Sequence, residues 1–287
     1  MGKLKIKQFA TKEEQFKWLI NNQDVLKAQR RSTPKEADSI MFVSYAINER
    51  GERLKAEDLE ENPNTDNGVL RVKCVINTTN LFDSHCDVHF PGIWKKSLSE
   101  SKQFFLCYEH NLSYKGIMSD VVKAYTQKIA WKDLGFNYEG ETEALIFECE
   151  ISQESLEDIG LEYMYKRYKN GKVYNHSVRM QYVKEYWCLD SEDPSATQYK
   201  ENWDKWIDQV ANKEDAITIG WFYAVTEAKI IEGSAVVRGS NFATPVYEIE
   251  EIIPKQEDTQ AEDNSLDENK KNEPSPDTQK SYYTSLI

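Results

Sequence analysis

Hydrophobic positions along the chain recur with two periods, and the period decides the element. Near the start, Thr11 is followed three residues later by Glu14, the capping-box arrangement that opens a helix. Phe16, Leu19, Ile20 and Leu26 then fall near helical spacing. This predicts a helix over residues 12–30, closed by Arg30-Arg31-Ser32-Thr33-Pro34. Beyond it the period shortens. Residues 40–47 form a compact apolar run and predict a strand, and residues 48–67 a polar loop. Leu70, Val72, Cys74 and Ile76 alternate with Arg71, Lys73 and Val75, the mark of a half-buried strand. Residues 104–108 read as a short buried strand. Residues 122–131 and 144–151 read as a strand pair split by a loop around Gly135 and Gly140.

Residues 155–168 predict one helix stopped by Asn170-Gly171. A strand is expected over 175–187, then a polar insertion over 188–219 with a helix near 203–210. Residues 221–237 and 246–253 close the strand set. Many strands with few helices between them predict an α+β chain with a barrel-like or sandwich-like sheet core and helices outside it. After Pro254 the pattern vanishes. Residues 254–287 hold eight Asp/Glu and four Lys, and few apolar residues before the tip Tyr282-Tyr283-Thr284-Ser285-Leu286-Ile287. Such a stretch cannot bury enough surface to offset its ordering entropy, so a disordered acidic tail is expected. The division expected is a helical segment over 1–35, a main domain over 36–253 and the tail over 254–287.

Charge and cysteine content narrow the function. A formal net charge of −13 argues against gripping phosphate backbones, so no nucleic-acid partner is expected. No run approaches the ~18 apolar residues of a membrane span, so no membrane is expected either. The first residues lack the apolar stretch of a signal peptide. Five cysteines, an odd number without a CxxC pair, predict reduced thiols rather than a disulfide framework or zinc site.

The chain has four histidines: His85, His89, His110 and His176. In Asp83-Ser84-His85-Cys86-Asp87-Val88-His89, an extended backbone would put His85, Asp87 and His89 on one face, where imidazole and carboxylate suit zinc or iron. The competing reading is a turn, which Asp, Ser and the following Pro91-Gly92 favour; no metal or other cofactor is therefore expected. His110 follows an apolar strand at the edge of a polar loop, a natural place for a general base, or for an ordinary strand-end histidine. Strand alternation turns Ser177, Arg179 and Gln181 to one side and His176, Val178, Met180 and Tyr182 to the other. A serine nucleophile there would need a base other than His176, and His110 is the better candidate. Arg179 shares the serine's face and would support an oxyanion directly or through water. Glu232 is an acid inside an apolar strand and needs a partner if buried; an imidazole N–H is one, and Ser234 shares its face. Cys107 lies three residues before His110, a lesser nucleophile candidate expected to face the opposite way.

These segments occur in a telling order: Asp87-Val88-His89-Phe90-Pro91-Gly92, Tyr108-Glu109-His110, His176-Ser177-Val178, Glu232-Gly233-Ser234-Ala235-Val236-Val237, and Gly239-Ser240-Asn241-Phe242-Ala243-Thr244-Pro245. Over residues 69–250 the chain resembles the prohead (capsid maturation) serine proteases of tailed phages, themselves related in fold to herpesvirus assembly proteases. Each motif is short, and their order and spacing together carry the resemblance. It implies Ser177 as nucleophile, His110 as general base and Glu232 as the acid orienting the histidine. It implies a mainly antiparallel β-barrel flanked by helices. It further implies an endopeptidase that cleaves phage scaffold and major capsid protein inside the immature capsid, in the host cytoplasm, with a homo-oligomeric assembly. The acidic tail, as an easily clipped segment, predicts self-processing there, or else docking to a shell or scaffold partner through its apolar tip. Two features depart from the family: Arg179 stands where a glycine is usual, and the 188–219 insertion is long. Arg179 feeds the alternative of a catalytically inactive capsid-assembly or scaffold protein of the same fold. A metal-dependent hydrolase built on His85, Asp87 and His89 is the other rival.

Overall fold

The computed structural model describes residues 9–32 and 68–252. The strand expected over 40–47, the loop over 48–67 and the acidic tail over 254–287 lie outside the described residues. In chain order the elements are α1 (Lys12–Ser32), β1 (Val69–Thr78), β2 (Asp87–His89), α2 (Lys95–Glu100), β3 (Leu106–Tyr108) and β4 (Ile117–Ser119). There follow β5 (Val122–Ala130), β6 (Glu141–Ser152), α3 (Gln153–Asp158), α4 (Glu162–Lys169) and β7 (Asn175–Leu189). The last are α5 (Thr197–Trp206), α6 (Lys213–Ile219), β8 (Trp221–Val236) and β9 (Val246–Ile252).

Helix α1 begins as the sequence predicts. The Glu14 N–H donates to Thr11 Oγ1 at 3.2 Å, and the Glu14 carboxylate accepts from the Ala10 N–H rather than from Thr11. Its Phe16 and Leu19 bury against Trp187, Leu189 and Tyr223. No helix among the described residues is long and apolar enough to cross a membrane.

Two sheets carry the fold. One has the order β5-β6-β1-β9 and is antiparallel throughout. The other is built on β8, whose length lets it hold β7 antiparallel on one edge and two short strands on the other. Those are β2, parallel to its start, and β3, parallel near its end, with β4 antiparallel to β3. Leu70, Val72 and Ile76 of β1 and Phe147 of β6 meet Val178, Ile230 and Ala235 in one apolar cluster, so the sheets pack face to face. Gly233 permits the contact: a Cβ there would lie 2.7 Å from the Phe147 ring. Glu232 and Ser234, which alternate with it, therefore lie on the face of β8 turned away from this core.

The α+β class and the mostly antiparallel pairing are as expected, but the barrel is not closed. Among the described residues the strands form two separate ladders. Strands β2, β3 and β4 are three residues each, too short to carry the ladder round to the other sheet. The single helix expected over 155–168 is broken in two. Gly160 takes φ 74°, its N–H donates to the Glu157 carbonyl, and the Leu161 N–H donates to the Leu156 carbonyl. That is the Schellman stop, closed by burial of Leu156 and Leu161 together. The 188–219 stretch is less polar in space than in sequence. Its helix ends at Trp206 rather than spanning 203–210, and Trp203, Trp206, Val210 and Ala216 bury against Phe90 and Phe222.

His176 lies on the face of β7 opposite Ser177, as alternation predicts, and that face is the core side, where it is fully buried. Its Nδ1–H donates to the Thr244 carbonyl at 3.2 Å, so Nε2 accepts from the Tyr168 hydroxyl at 3.0 Å. Burial pushes its pKa down to about 4. In the unfolded chain the ring takes a proton below about 6.5 while the folded ring stays neutral. Stability is therefore full above that value and falls as the pH drops toward 4, by about 3 kcal/mol in all. Urea midpoints at pH 7 and pH 4.5 for wild type and His176→Gln check this: the variant should lose less stability than wild type between the two.

Candidate active site

The site is assembled across three neighbouring strands. On β7 and β8, Ser177 lies directly opposite Ser234, and Arg179 directly opposite Glu232. Opposed residues of an antiparallel pair share a face with Cβ atoms about 5 Å apart. The four side chains thus rise from one patch of the outer face. His110 arrives from β3. The chain leaves that strand through Glu109 at φ 48° and His110 at φ 56°, two consecutive left-handed residues that are not glycine. Such a turn costs about 1–2 kcal/mol per residue and must be held. The Glu109 N–H donates to the Ala235 carbonyl, and the His110 N–H donates to Ser234 Oγ, both at 3.1 Å.

This turn lays the imidazole on Glu232. His110 Nδ1–H donates to Glu232 Oε1 at 2.6 Å, and the Ser234 hydroxyl donates to Oε2 at 2.6 Å. Glu232 is 0% exposed, so its carboxylate depends on these two donors. Because Nδ1 donates, the lone pair of the neutral ring sits on Nε2. Nε2 has no hydrogen-bond partner among the described residues, and the His110 side chain is 24% exposed. Ser177 is half-buried. No hydrogen bond joins it to His110 among the described residues; such contacts often tighten only with substrate in place.

Sequence reasoning therefore finds Ser177, His110, Glu232 and Arg179 in one neighbourhood. Arg179 makes no ion pair among the described residues, although it lies opposite Glu232 in the β7–β8 register. Ser234 does more than share a face: it ties the histidine turn to the acid.

Cys107 is a correction. It lies opposite Ser234 in the β3–β8 register, on the same patch, because the left-handed turn after Tyr108 breaks the alternation that set Cys107 and His110 apart. Burial, and then the nearby Glu232 charge, push its thiol up to about 12. A thiol that stays protonated at neutral pH is no nucleophile.

The rival metal set of His85, Asp87 and His89 needs one extended strand face, and the backbone at His85 is not extended. His89 turns to Asn77, at 2.9 Å from Nδ1, and to the Tyr182 hydroxyl, at 3.2 Å from Nε2. His85 sits instead in a turn capped by Asp83, whose Oδ1 accepts the His85 and Asp87 N–H groups at 2.8 and 2.9 Å.

Gly239 entered the sequence reading only as part of a motif, without a role. A Cβ at that position would stand 2.8 Å from the His176 carbonyl and 3.6 Å from Ser177 Cβ. Only a glycine lets the backbone of this segment lie against the serine. The signal was the Arg238-Gly239-Ser240 run directly after the strand that carries Glu232.

Comparison of the chain with protein-family models, with curated proteins and with solved structures gives no match.

Proposed function

We propose that this chain is a serine endopeptidase of phage prohead maturation, cutting scaffold and major capsid protein inside the immature shell. The observation that carries the reading is the buried Glu232 bonded at 2.6 Å to an accessible His110, with Ser177 on the strand beside it. Ser177 Oγ attacks the scissile carbonyl carbon while His110 Nε2 takes the hydroxyl proton. Glu232 holds the ring in the required tautomer and stabilises the imidazolium that forms. His110 then gives its proton to the leaving amine, and the acyl-enzyme is released when His110 activates a water. Backbone N–H groups of the segment at Gly239, which lies against Ser177, would hold the oxyanion, with Arg179 as a second, charged support.

The same reading takes the two-sheet core as a variant of the herpesvirus assembly-protease fold. It carries with it self-processing and a homo-oligomeric assembly within the shell.

The test is incubation of the full chain with a capsid or scaffold precursor, beside Ser177→Ala, read by intact-mass spectrometry. Fragments from the wild type alone are expected. Cleavage by a folded Ser177→Ala protein would overturn the assignment. A precursor left intact by both would favour the inactive assembly protein.

A further inference from the structure

We propose a second site, for a divalent metal ion, held by Asp83, His85 and Asp87 and separate from the serine chemistry. One donor atom from each of the three lies within 4.8 Å of the others. Donors on a four-coordinate zinc ion stand about 3.4 Å apart, so modest side-chain rotation closes the set. Two carboxylates and one imidazole are a borderline-hard donor set that suits zinc and its first-row neighbours.

Burial is what separates this cluster from an ordinary surface group of acids. Asp83 is 4% and Asp87 1% exposed. Asp83 spends Oδ1 on the two backbone N–H groups of its own turn, which fixes the carboxylate. Its other oxygen, Oδ2, is buried and accepts no hydrogen bond among the described residues. A buried carboxylate oxygen without a donor is costly, and a cation relieves that cost directly. The backbone is shaped to the same end. Cys86 takes φ 58°, the Cys86 N–H donates to the Asp83 carbonyl, and the Asp83 N–H donates to the Asp87 carbonyl, closing the turn around the three side chains.

Two contacts connect this turn to the nucleophile. Asp87 Oδ2 accepts from the Tyr182 hydroxyl at 2.7 Å, on the strand that carries Ser177. The Ser84 N–H donates to the Ser240 carbonyl at 3.3 Å, next to the glycine that lies against Ser177. A bound ion would stiffen both supports of the serine without touching substrate. The role is structural, and the proposal stands whether or not the chain is a protease.

The test uses the full chain carrying Ser177→Ala, so that binding is measured without proteolysis, and Zn2+ as the probe. Calorimetric titration should show one tight equivalent per chain and a rise in Tm. Adding His85→Ala should weaken that equivalent at least about tenfold and abolish the rise, with the metal-free variant still folded by circular dichroism. Asp83→Asn should weaken it as well. No binding at about 100 μM Zn2+, or binding of equal strength in parent and His85→Ala, overturns the proposal.

Discussion

Replacing Ser177 with alanine is expected to lower cleavage of a capsid or scaffold precursor by at least about a thousandfold while leaving the protein folded. The size follows from the kind of group removed. In the proposed reaction the Ser177 hydroxyl oxygen forms the acyl-enzyme, and no neighbour is placed to replace it. Ser234, the hydroxyl opposite it, is fully buried and donates to Glu232, and the Cys107 thiol beyond it is pushed up to about 12. The stability change should be small, about 0.5 kcal/mol or less, because Ser177 Oγ supports no hydrogen bond among the described residues. Initial rates on one precursor, together with urea midpoints for both proteins, separate the two quantities. A variant that loses activity only because it unfolds would show a shifted midpoint.

The second large effect is at Glu232, where activity and stability should fall together. Glu232→Ala leaves His110 Nδ1–H and the Ser234 hydroxyl without an acceptor and opens a cavity beneath the ring. About 2–4 kcal/mol of stability should go with it. Glu232→Gln keeps the volume and one acceptor oxygen but presents an NH2 group to a partner that also donates. The ring is then free to turn or to change tautomer, so activity should drop about 10²–10⁴-fold for a stability loss near 1–2 kcal/mol. Proteolysis rates and urea midpoints for both variants check these values. Glu232→Gln retaining wild-type activity would mean that the acid supports only the fold.

Much of this was legible in the sequence because it follows from alternation. The faces of β7 are read correctly at its start, with His176 and Val178 on one side and Ser177 beside Arg179 on the other; that the His176 side is the buried one is a finding of the structure. Glu232 stood out as a charge in an apolar strand, and a buried acid needs a donor. What the sequence hid depends on backbone leaving a regular period. Two consecutive left-handed residues carry His110 back over β8, and nothing in Tyr108-Glu109-His110 announces them. The same turn places Cys107 and His110 on one patch against the parity argument. Asp83 was hidden for a like reason. Read as an extended strand, residues 83–89 pair His85 with His89; the turn at Cys86 brings in Asp83 and sends His89 to Asn77.

The fold shows the same division. Strand existence in the four-stranded sheet and the pairing of β5 with β6 follow from period and turn residues, whereas the places of β1 and β9 rest on long-range contacts that no local pattern encodes. The break at Gly160 was signalled by Ile159-Gly160 inside the helical pattern, but a stronger stop at Asn170-Gly171 masked it. The open sheet edges in place of a closed barrel could not be read from the sequence, because closure depends on how far three-residue strands extend.

In the proposed function Ser177 is a nucleophile activated by the His110–Glu232 pair. The most direct measurement is reaction of the full chain with a fluorophosphonate probe, followed by peptide mapping, beside His110→Ala and Glu232→Gln. This needs no knowledge of the natural substrate. The account predicts a single adduct on Ser177, absent in His110→Ala and strongly slowed in Glu232→Gln. An adduct on another residue, or no adduct on a folded wild-type protein, would contradict it.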